Sequence, residues 1–210
     1  MAFFYIKKSN LTGIFRFMNK LIVILCLLFF ISCNHPHYDY PHVVMATQFG
    51  DIELELYPAK APKTVAAFLA NVKAGIYDNS SFYRVLKAEE MPTDLNSGII
   101  QGGVWKTAAQ KAKNIPGIPH ESTKQTGLLH VDGTISMARS DTGTARSEFF
   151  ICIGNQNSFD FGNSGVADGQ GYAAFGKVFS GMKIVRKILD QKSHGDSFDE
   201  KIEIRQVSLQ

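Results

Sequence analysis

Apolar and polar side chains alternate along several short segments of the chain between residues 43 and 210. The clearest case is residues 52–57, where isoleucine or leucine at every second position alternates with two glutamates and a tyrosine. A period of two predicts a β-strand with one face on a core. Residues 43–49 precede it, and Gly50-Asp51 between the two segments predicts a hairpin turn. Further short apolar runs predict strands at residues 81–86, 99–101, 134–138, 149–153, 173–179 and 201–207.

Two other segments show helical periodicity. Between Pro62 and Gly75 the apolar residues recur at i, i+3, i+4 and i+7, with proline at the start and glycine after the end, as helices favour. Residues 182–191, which follow Gly181, also place their apolar side chains on one side. Many short strands with two helices predict a mainly β domain, a closed antiparallel barrel with the helices at its ends.

An unbroken apolar run occupies residues 21–31 and is followed by Ser32 and Cys33. Its 11 residues are too few for a spanning helix, which needs about 20. The basic Lys20, the short apolar core and the small Ser32 are typical of an export signal. Residues 30–33 resemble a bacterial lipobox, so we predict that residues 1–33 are an N-terminal extension and lipoprotein signal, with a lipid on Cys33. A non-cleaved membrane anchor and a start at Met18 are the alternatives.

Charge is distributed unevenly between this leader and the rest of the chain. The formal net charge is +3, from 22 basic and 19 acidic residues. Lys7, Lys8, Arg16 and Lys20 precede Cys33 and no acidic residue does, which leaves 18 basic and 19 acidic residues after it. The basic character therefore belongs to the leader and gives no argument for a nucleic-acid partner.

Residues 34–42 contain two prolines and three histidines, at 35, 37 and 42, and we predict a flexible tether before a domain at 43–210. A metal site on these histidines is the alternative, but nothing nearby in the sequence would fix the ligand geometry. The cysteines are Cys26 in the apolar run, Cys33, and Cys152 in an apolar strand. A buried thiol packs as a small apolar group, so no disulfide framework is expected.

Four segments of the domain carry motifs that belong together. They are residues 82–85 (Phe-Tyr-Arg-Val), 100–103 (Ile-Gln-Gly-Gly), 133–151 (Gly-Thr-Ile-Ser-Met-Ala-Arg to Ser-Glu-Phe-Phe-Ile) and 171–178 (Gly-Tyr-Ala-Ala-Phe-Gly-Lys-Val). In this order and spacing the domain resembles the cyclophilin family of peptidyl-prolyl cis/trans isomerases. The resemblance implies an eight-stranded antiparallel barrel capped by two helices, with a surface groove for proline-containing polypeptides. It implies no cofactor or metal, and it favours a monomer.

The resemblance also implies a role for particular residues of this chain. Arg84 matches the catalytic arginine, Gln101 the glutamine beside it, and Phe150 the floor of the proline pocket. Strand alternation sends one of Phe149 and Phe150 into the barrel and the other to the opposite face, where we expect a ligand pocket. The residues that match substrate-binding positions are Ile99, Ala138, Arg139, Phe159 and Tyr172.

The chemistry of prolyl isomerisation suits these residue types. Delocalisation of the nitrogen lone pair makes rotation about a peptide bond cost about 18–20 kcal/mol. At the twisted transition state the lone pair returns to the prolyl nitrogen, which becomes a hydrogen-bond acceptor. A guanidinium such as that of Arg84 therefore stabilises the twisted state more than either planar state, as catalysis requires. An apolar pocket grips the ring and removes water from the amide, which strengthens this contact.

Two departures from the family pattern leave a second interpretation open. Gly98 stands where many members have an apolar or aromatic residue, so one pocket wall is expected to be missing. Residues 89–97 look like an insertion, from which Met91 or Leu95 could fill the gap. The main prediction is an enzyme that isomerises X-Pro bonds in exported proteins and assists their folding. We expect this enzyme to be lipid-anchored to a bacterial membrane, with its domain facing the periplasm. The alternative is a non-catalytic module that binds proline segments in the cell envelope.

Overall fold

The computed structural model describes residues 38–88, 97–163 and 165–210. The strands in this part of the chain are β1 His42–Thr47, β2 Gly50–Leu56, β3 Ser80–Lys87, β4 Gly98–Gly103, β5 Thr134–Met137, β6 Phe149–Ile153, β7 Ala173–Ser180, β8 Ser193–His194 and β9 Ser197–Leu209. Every strand predicted from the alternation of side chains is present. The two-residue β8 is an addition, because so short a segment shows no period.

Eight of these strands close into a ring. They pair in the order β1-β2-β7-β5-β6-β4-β3-β9, and β9 pairs back to β1. All of these pairs are antiparallel, and β8 lies outside the ring on the start of β9. The predicted closed eight-stranded antiparallel barrel is confirmed.

The first hairpin turns two residues earlier than the sequence indicates. Thr47 pairs with Gly50, so Gln48 and Phe49 form the turn instead of Gly50 and Asp51. The Thr47 hydroxyl accepts the Phe49 N–H at 3.1 Å and donates to the Gly50 carbonyl at 2.6 Å. Gly50 follows with a φ of 126°. The glycine therefore marks the first residue after the turn, which a threonine side chain holds closed.

In the residues that the structure describes, four α-helices connect the strands: α1 Pro62–Lys73, α2 Ala109–Asn114, α3 Thr123–Thr126 and α4 Met182–Leu189. The predictions for α1 and α4 are confirmed. The carboxylate of Glu121 caps α1 by accepting the backbone N–H groups of Lys63 and Thr64 at 3.2 and 2.8 Å, and Gly75 follows the helix with a φ of 62°. The six-residue α2 and four-residue α3 were not predicted, since neither is long enough to show a helical period.

The inward side chains of the barrel and the buried faces of α1 and α4 form one hydrophobic core. Phe68 of α1 and Ile188 of α4 are completely buried in it, and burial of each such side chain contributes about 1.5–3 kcal/mol. Phe149 belongs to this core, whereas Phe150 belongs to a second buried cluster. The prediction that these two phenylalanines lie on opposite faces of β6 is confirmed.

The packed domain begins earlier than the predicted boundary at residue 43. His42 is the first residue of β1, is 2% exposed, and places Nδ1 2.7 Å from Glu53 Oε1. The Tyr38 ring stacks on His42 with centroids 3.6 Å apart, and Tyr40 packs edge-on against Tyr57 at 5.4 Å. Residues 38–42 therefore pack against the domain, because their aromatic side chains find partners on β1 and at the end of β2.

The predicted signal, the predicted lipid site Cys33, and His35 and His37 of the predicted tether lie outside the described residues. Within residues 38–88, 97–163 and 165–210, the structure contains no helix of the length and apolar character needed to cross a membrane.

Candidate active site

Arg84, Gln101 and Phe150 lie in one row across three neighbouring strands. Arg84 of β3 pairs with Gln101 of β4, and Gln101 pairs with Phe150 of β6. Directly paired residues of antiparallel strands project on the same face of a sheet. Because Phe149 occupies the core, that face is the outer surface of the barrel. The structure thus brings together the three residues predicted to be catalytic.

A β-bulge at Tyr83 makes this row possible. Phe82 pairs with Gly102 and Arg84 with Gln101, so Tyr83 is an extra residue on β3. In a regular strand Arg84 would share a face with Phe82, which is completely buried in the core. The bulge turns Arg84 outward, as bulges do near functional sites.

Two acceptors fix the guanidinium of Arg84. Its Nε donates to Asp196 Oδ2 at 2.8 Å and its Nη1 donates to Gln101 Oε1 at 3.1 Å. The Arg84 hydrogen bond and charge lower the pKa of Asp196, which therefore remains a carboxylate partner. The Arg84 side chain is 38% exposed, and in the described part of the chain Nη2 has no hydrogen-bond acceptor. The planar group is held from one side and open to the surface on the other.

Gln101 is itself held by two further side chains. Its Nε2 donates to the Tyr83 hydroxyl at 3.0 Å, and that hydroxyl donates to Glu148 Oε2 at 2.7 Å. Burial raises the pKa of the Glu148 carboxyl. Burial, followed by the charge of Glu148, raises the pKa of the Tyr83 phenol. The four residues form a continuous series, the Arg84–Glu148 chain, that runs from the surface into the protein.

Beside this chain lies an apolar pocket with Phe150 at its floor. Phe150 is 1% exposed and clusters with Ile99 and Cys152. Tyr172 and Phe159 pack edge-on against its ring, with centroids 5.1 and 5.7 Å away. Such aromatic edges form rigid walls suited to a compact apolar ring. Cys152 packs as the predicted apolar thiol, and burial raises its pKa.

A buried histidine supports the floor of the pocket. The His130 ring stacks parallel to Phe150, with centroids 5.8 Å apart and planes 16° apart. Its Nδ1 lies 2.7 Å from Asp160 Oδ1, and its Nε2 lies 3.0 Å from the Ser136 hydroxyl. Burial lowers the pKa of His130, so the neutral ring donates from Nδ1 to the carboxylate and accepts from Ser136. Neither the motifs nor the spacing of apolar residues in the sequence indicates this support.

Arg84, Gln101 and the pocket open into one groove of about 710 Å³. Its lining includes every predicted site residue: Arg84, Ile99, Gln101, Ala138, Arg139, Phe150, Phe159 and Tyr172. The groove places a fixed cation and a hydrogen-bonding amide beside a hollow for an apolar ring. This arrangement can stabilise a lone pair that develops on an atom of a bound ring.

Ala138 and Arg139, which were predicted to pair with a bound peptide, make different contacts in the structure. Both lie beyond the end of β5, and the Ala138 N–H donates to the Glu148 carbonyl at 2.8 Å. The Arg139 guanidinium binds Asp168 at 2.7 and 2.9 Å and the Gly171 carbonyl at 3.0 and 2.6 Å. Its side chain is 2% exposed, and its hydrogen bonds lower the pKa of Asp168. The Arg139 side chain therefore fixes the loop that precedes Tyr172.

Gly98 does not line the groove, since it pairs with Ile153, whose side chain lies in the barrel core. A Cβ at Gly98 would lie 1.9 Å from the Leu86 carbonyl, and its φ is 151°, so only glycine fits here. Leu86 lies one strand away, packs against the cluster of Phe150, and lines the groove. The proposed substitutes Met91 and Leu95 lie outside the described residues.

Comparisons with known proteins agree with this geometry. Residues 42–209 match the family "Cyclophilin type peptidyl-prolyl cis-trans isomerase/CLD". The chain is 35% identical over 148 residues to peptidyl-prolyl cis-trans isomerase A of Dickeya dadantii, covering 70% of each protein. It is 33% identical over 169 residues to peptidyl-prolyl cis-trans isomerase cyp18 of Streptomyces antibioticus, covering 80% of this chain and 95% of that protein. A Cryptosporidium parvum cyclophilin-type isomerase crystallised in the presence of the dipeptide Ala-Pro has the same fold, with a TM-score of 0.62, 22% identity, and coverage of 80% and 98% of the two chains.

Proposed function

Because the chain belongs to the cyclophilin-type peptidyl-prolyl cis-trans isomerases, we propose that it isomerises X-Pro bonds in exported proteins and so assists their folding. The observation that carries this proposal is the row of Arg84, Gln101 and Phe150, which sets a fixed cation beside a buried apolar floor. A proline ring on that floor has its amide nitrogen next to the guanidinium.

The proposed mechanism needs no covalent intermediate. The proline ring enters the hollow over Phe150, and the preceding residue lies along the groove. As the amide twists, the prolyl nitrogen regains its lone pair and accepts a hydrogen bond from Arg84. The planar cis and trans states have no such lone pair, so this bond lowers the barrier without stabilising the ground states to the same degree.

The apolar walls strengthen that contact. Ile99, Phe159 and Tyr172 surround the floor and exclude water from the amide of a seated proline. A planar amide is less polar at nitrogen than at oxygen, so removing water from the nitrogen side costs little in the ground state. In the less polar site a charge and a lone pair interact more strongly than in water.

The non-catalytic alternative fits the site less well. Its support was the missing wall at Gly98 and the insertion, but Gly98 is not part of the lining of the groove, whereas Leu86 is. A module that only gripped proline segments would need the hollow and not the fixed cation. The structure holds Arg84 with Asp196 and Gln101 at the rim of the hollow, which favours an enzyme.

The cellular setting is proposed from the sequence of the first 33 residues. The basic flank, the apolar run of 11 residues and the lipobox-like residues 30–33 favour export and attachment of a lipid to Cys33. Lipidation with more than one acyl chain gives a stable anchor. We propose that the domain faces the periplasm as a monomer, where it acts on polypeptides that fold after export.

A refolding experiment tests the role in folding. Uncatalysed X-Pro isomerisation takes tens to hundreds of seconds and can limit refolding. The purified full chain in detergent, at a tenth of the client concentration, should accelerate the proline-limited phase of a model protein. Arg84→Ala should leave that phase at its uncatalysed rate. A wild-type protein that isomerises short peptides but leaves the slow refolding phase unchanged would reject folding assistance while retaining the enzyme.

Mass spectrometry and fractionation test the anchor. We expect the mature protein to begin at Cys33, to carry acyl groups on that residue, and to partition into the detergent phase. Cys33→Ala should prevent both processing and lipidation, whereas the matched Cys26→Ala, within the apolar run, should permit both. A membrane-bound protein with an intact N-terminus and no acyl mass would support the non-cleaved anchor instead.

A further inference from the structure

We propose that Tyr83 and Glu148 are positioning residues that set the direction of every hydrogen bond in the Arg84–Glu148 chain. This inference rests on the proposed isomerase function of the same site. Glu148 also lines the groove, but the role proposed here is exerted through Gln101, which Tyr83 contacts directly and Glu148 reaches through Tyr83. The side-chain amide of Gln101 has an oxygen at one end and a nitrogen at the other, and only one orientation serves Arg84.

The direction is fixed first at the surface end. A guanidinium has donors and no acceptor, so the Gln101 atom facing Arg84 Nη1 at 3.1 Å must be the oxygen. The Gln101 NH2 group then faces the Tyr83 hydroxyl at 3.0 Å and donates to it. Tyr83 has one proton, and its oxygen is already accepting. That proton must therefore go to a different acceptor.

The direction is fixed again at the inner end. Glu148 Oε1 accepts the backbone N–H groups of Val104 and Trp105 at 2.9 and 3.0 Å and the Ser147 hydroxyl at 3.0 Å. These three donors hold the carboxylate in place and leave Oε2 facing Tyr83 at 2.7 Å. A carboxylate only accepts hydrogen bonds, so Glu148 accepts the hydrogen bond that the Tyr83 hydroxyl donates. Both ends of the chain thus impose the same orientation on the Gln101 amide.

The chain can be reversed by a single isosteric change. In Glu148→Gln the side-chain oxygen stays with the two backbone N–H groups, so the new NH2 group takes the place of Oε2 and points at Tyr83. Tyr83 must then accept from residue 148 and donate to Gln101. The Gln101 amide turns over to present its oxygen to Tyr83, and its NH2 group faces the Arg84 guanidinium. Two donors then oppose each other where the cation was held.

The local surroundings make this direction robust in the wild-type protein. Burial and the neighbouring carboxylate raise the pKa of the Tyr83 phenol, so the hydroxyl keeps its proton. Trp105 and Val104 come from the segment directly after β4, the strand that carries Gln101. Glu148, which accepts the last hydrogen bond of the chain, is therefore bound to the end of the strand that carries Gln101, whose amide it orients.

The test compares three variants of the full chain in a peptide isomerisation assay. Glu148→Gln should lower kcat about 10- to 100-fold, the range for loss of a hydrogen bond to a charged group, with KM little changed because the proline hollow is intact. Tyr83→Phe removes the hydroxyl and leaves the amide free to face Arg84 with its oxygen, so it should lose only about threefold. The double variant should recover to the activity of Tyr83→Phe alone, because no hydroxyl remains to force the amide over.

Recovery in the double variant distinguishes orientation from simple damage. If Glu148 were only structural, the second substitution would add to the first, and the double variant would be the least active. Glu203→Gln, an exposed isosteric change on β9, controls for loss of a carboxylate. The side-chain NH2 resonances of Gln101 in 15N NMR should shift in Glu148→Gln and return towards wild type in the double variant.

The outcomes separate this inference from the proposed function. A double variant that is no more active than Glu148→Gln, or a Glu148→Gln enzyme with wild-type kcat, overturns the positioning role. An inactive wild-type protein overturns the proposed function instead. Urea denaturation of each variant reports the folded fraction, to which the rates are normalised, so a loss of stability is not counted as a loss of catalysis.

Discussion

Arg84→Ala should lower kcat/KM for an Ala-Pro peptide about 100- to 1,000-fold, the loss seen when one transition-state donor is removed from an active site. The physical reason is that the prolyl nitrogen of the twisted amide loses its only charged donor in the proposed geometry. Stability should change by less than about 1 kcal/mol, because Arg84 and Asp196 form an exposed ion pair. A protease-coupled isomerisation assay and urea denaturation measure the two quantities.

Arg84→Lys is the matched control, because it keeps the positive charge and removes the planar guanidinium. Lysine carries one compact ammonium on a flexible stem and cannot hold Asp196 and Gln101 together from one rigid plane. We expect it to restore less than a tenth of the lost activity. Full activity in the lysine variant would mean that a nearby positive charge suffices and that the fixed fork is not needed.

Phe150→Ala should damage both binding and stability. Loss of the floor removes about 1.5–3 kcal/mol of apolar contact with the proline ring, so we expect kcat/KM to fall about 10- to 100-fold, chiefly through KM. The side chain is 1% exposed and packs against His130, Phe159 and Tyr172. Its truncation should lower the free energy of unfolding by about 3–5 kcal/mol. Urea titration and steady-state kinetics test the two parts.

The neighbouring phenylalanine offers a control for the structural part. Phe149 is equally buried but faces the barrel interior. Phe149→Leu and Phe150→Leu should therefore destabilise the fold to a similar degree, and only the change at 150 should raise KM. Equal effects of the two leucine variants on KM would show that the outer face of β6 has no special part in binding.

The sequence predicts the barrel well because each strand alternates or carries a short apolar run. Its errors arise where a side chain changes the backbone locally. The hydroxyl of Thr47 moves the first turn to Gln48-Phe49, and the aromatic stack of Tyr38 on His42 extends the domain into the predicted tether. Such contacts depend on partners that the spacing of apolar residues does not reveal.

The active site could be predicted from the sequence only in part. The resemblance to the cyclophilin family indicated Arg84, Gln101 and Phe150, and the structure places them in one row. Their supports come from far along the chain: Asp196 is 112 residues from Arg84, and Glu148 is 65 residues from Tyr83. One signal was present in the sequence, since Phe82 in the core and Arg84 at the surface cannot share a regular strand. That conflict indicates an irregularity at Tyr83, where the structure has the bulge. No comparable feature of the sequence indicated that Asp196 would bind Arg84.

In the proposed mechanism the guanidinium of Arg84 stabilises a prolyl bond only while that bond is twisted. Two-dimensional NMR exchange on a saturating Ala-Pro peptide measures the rate of interconversion on the enzyme, and titration of the same sample measures affinity. We expect Arg84→Ala to bind the peptide with nearly the wild-type Kd, while cis/trans exchange falls almost to the rate of the free peptide. Wild-type exchange in that variant, or a loss explained by weaker binding alone, would contradict it.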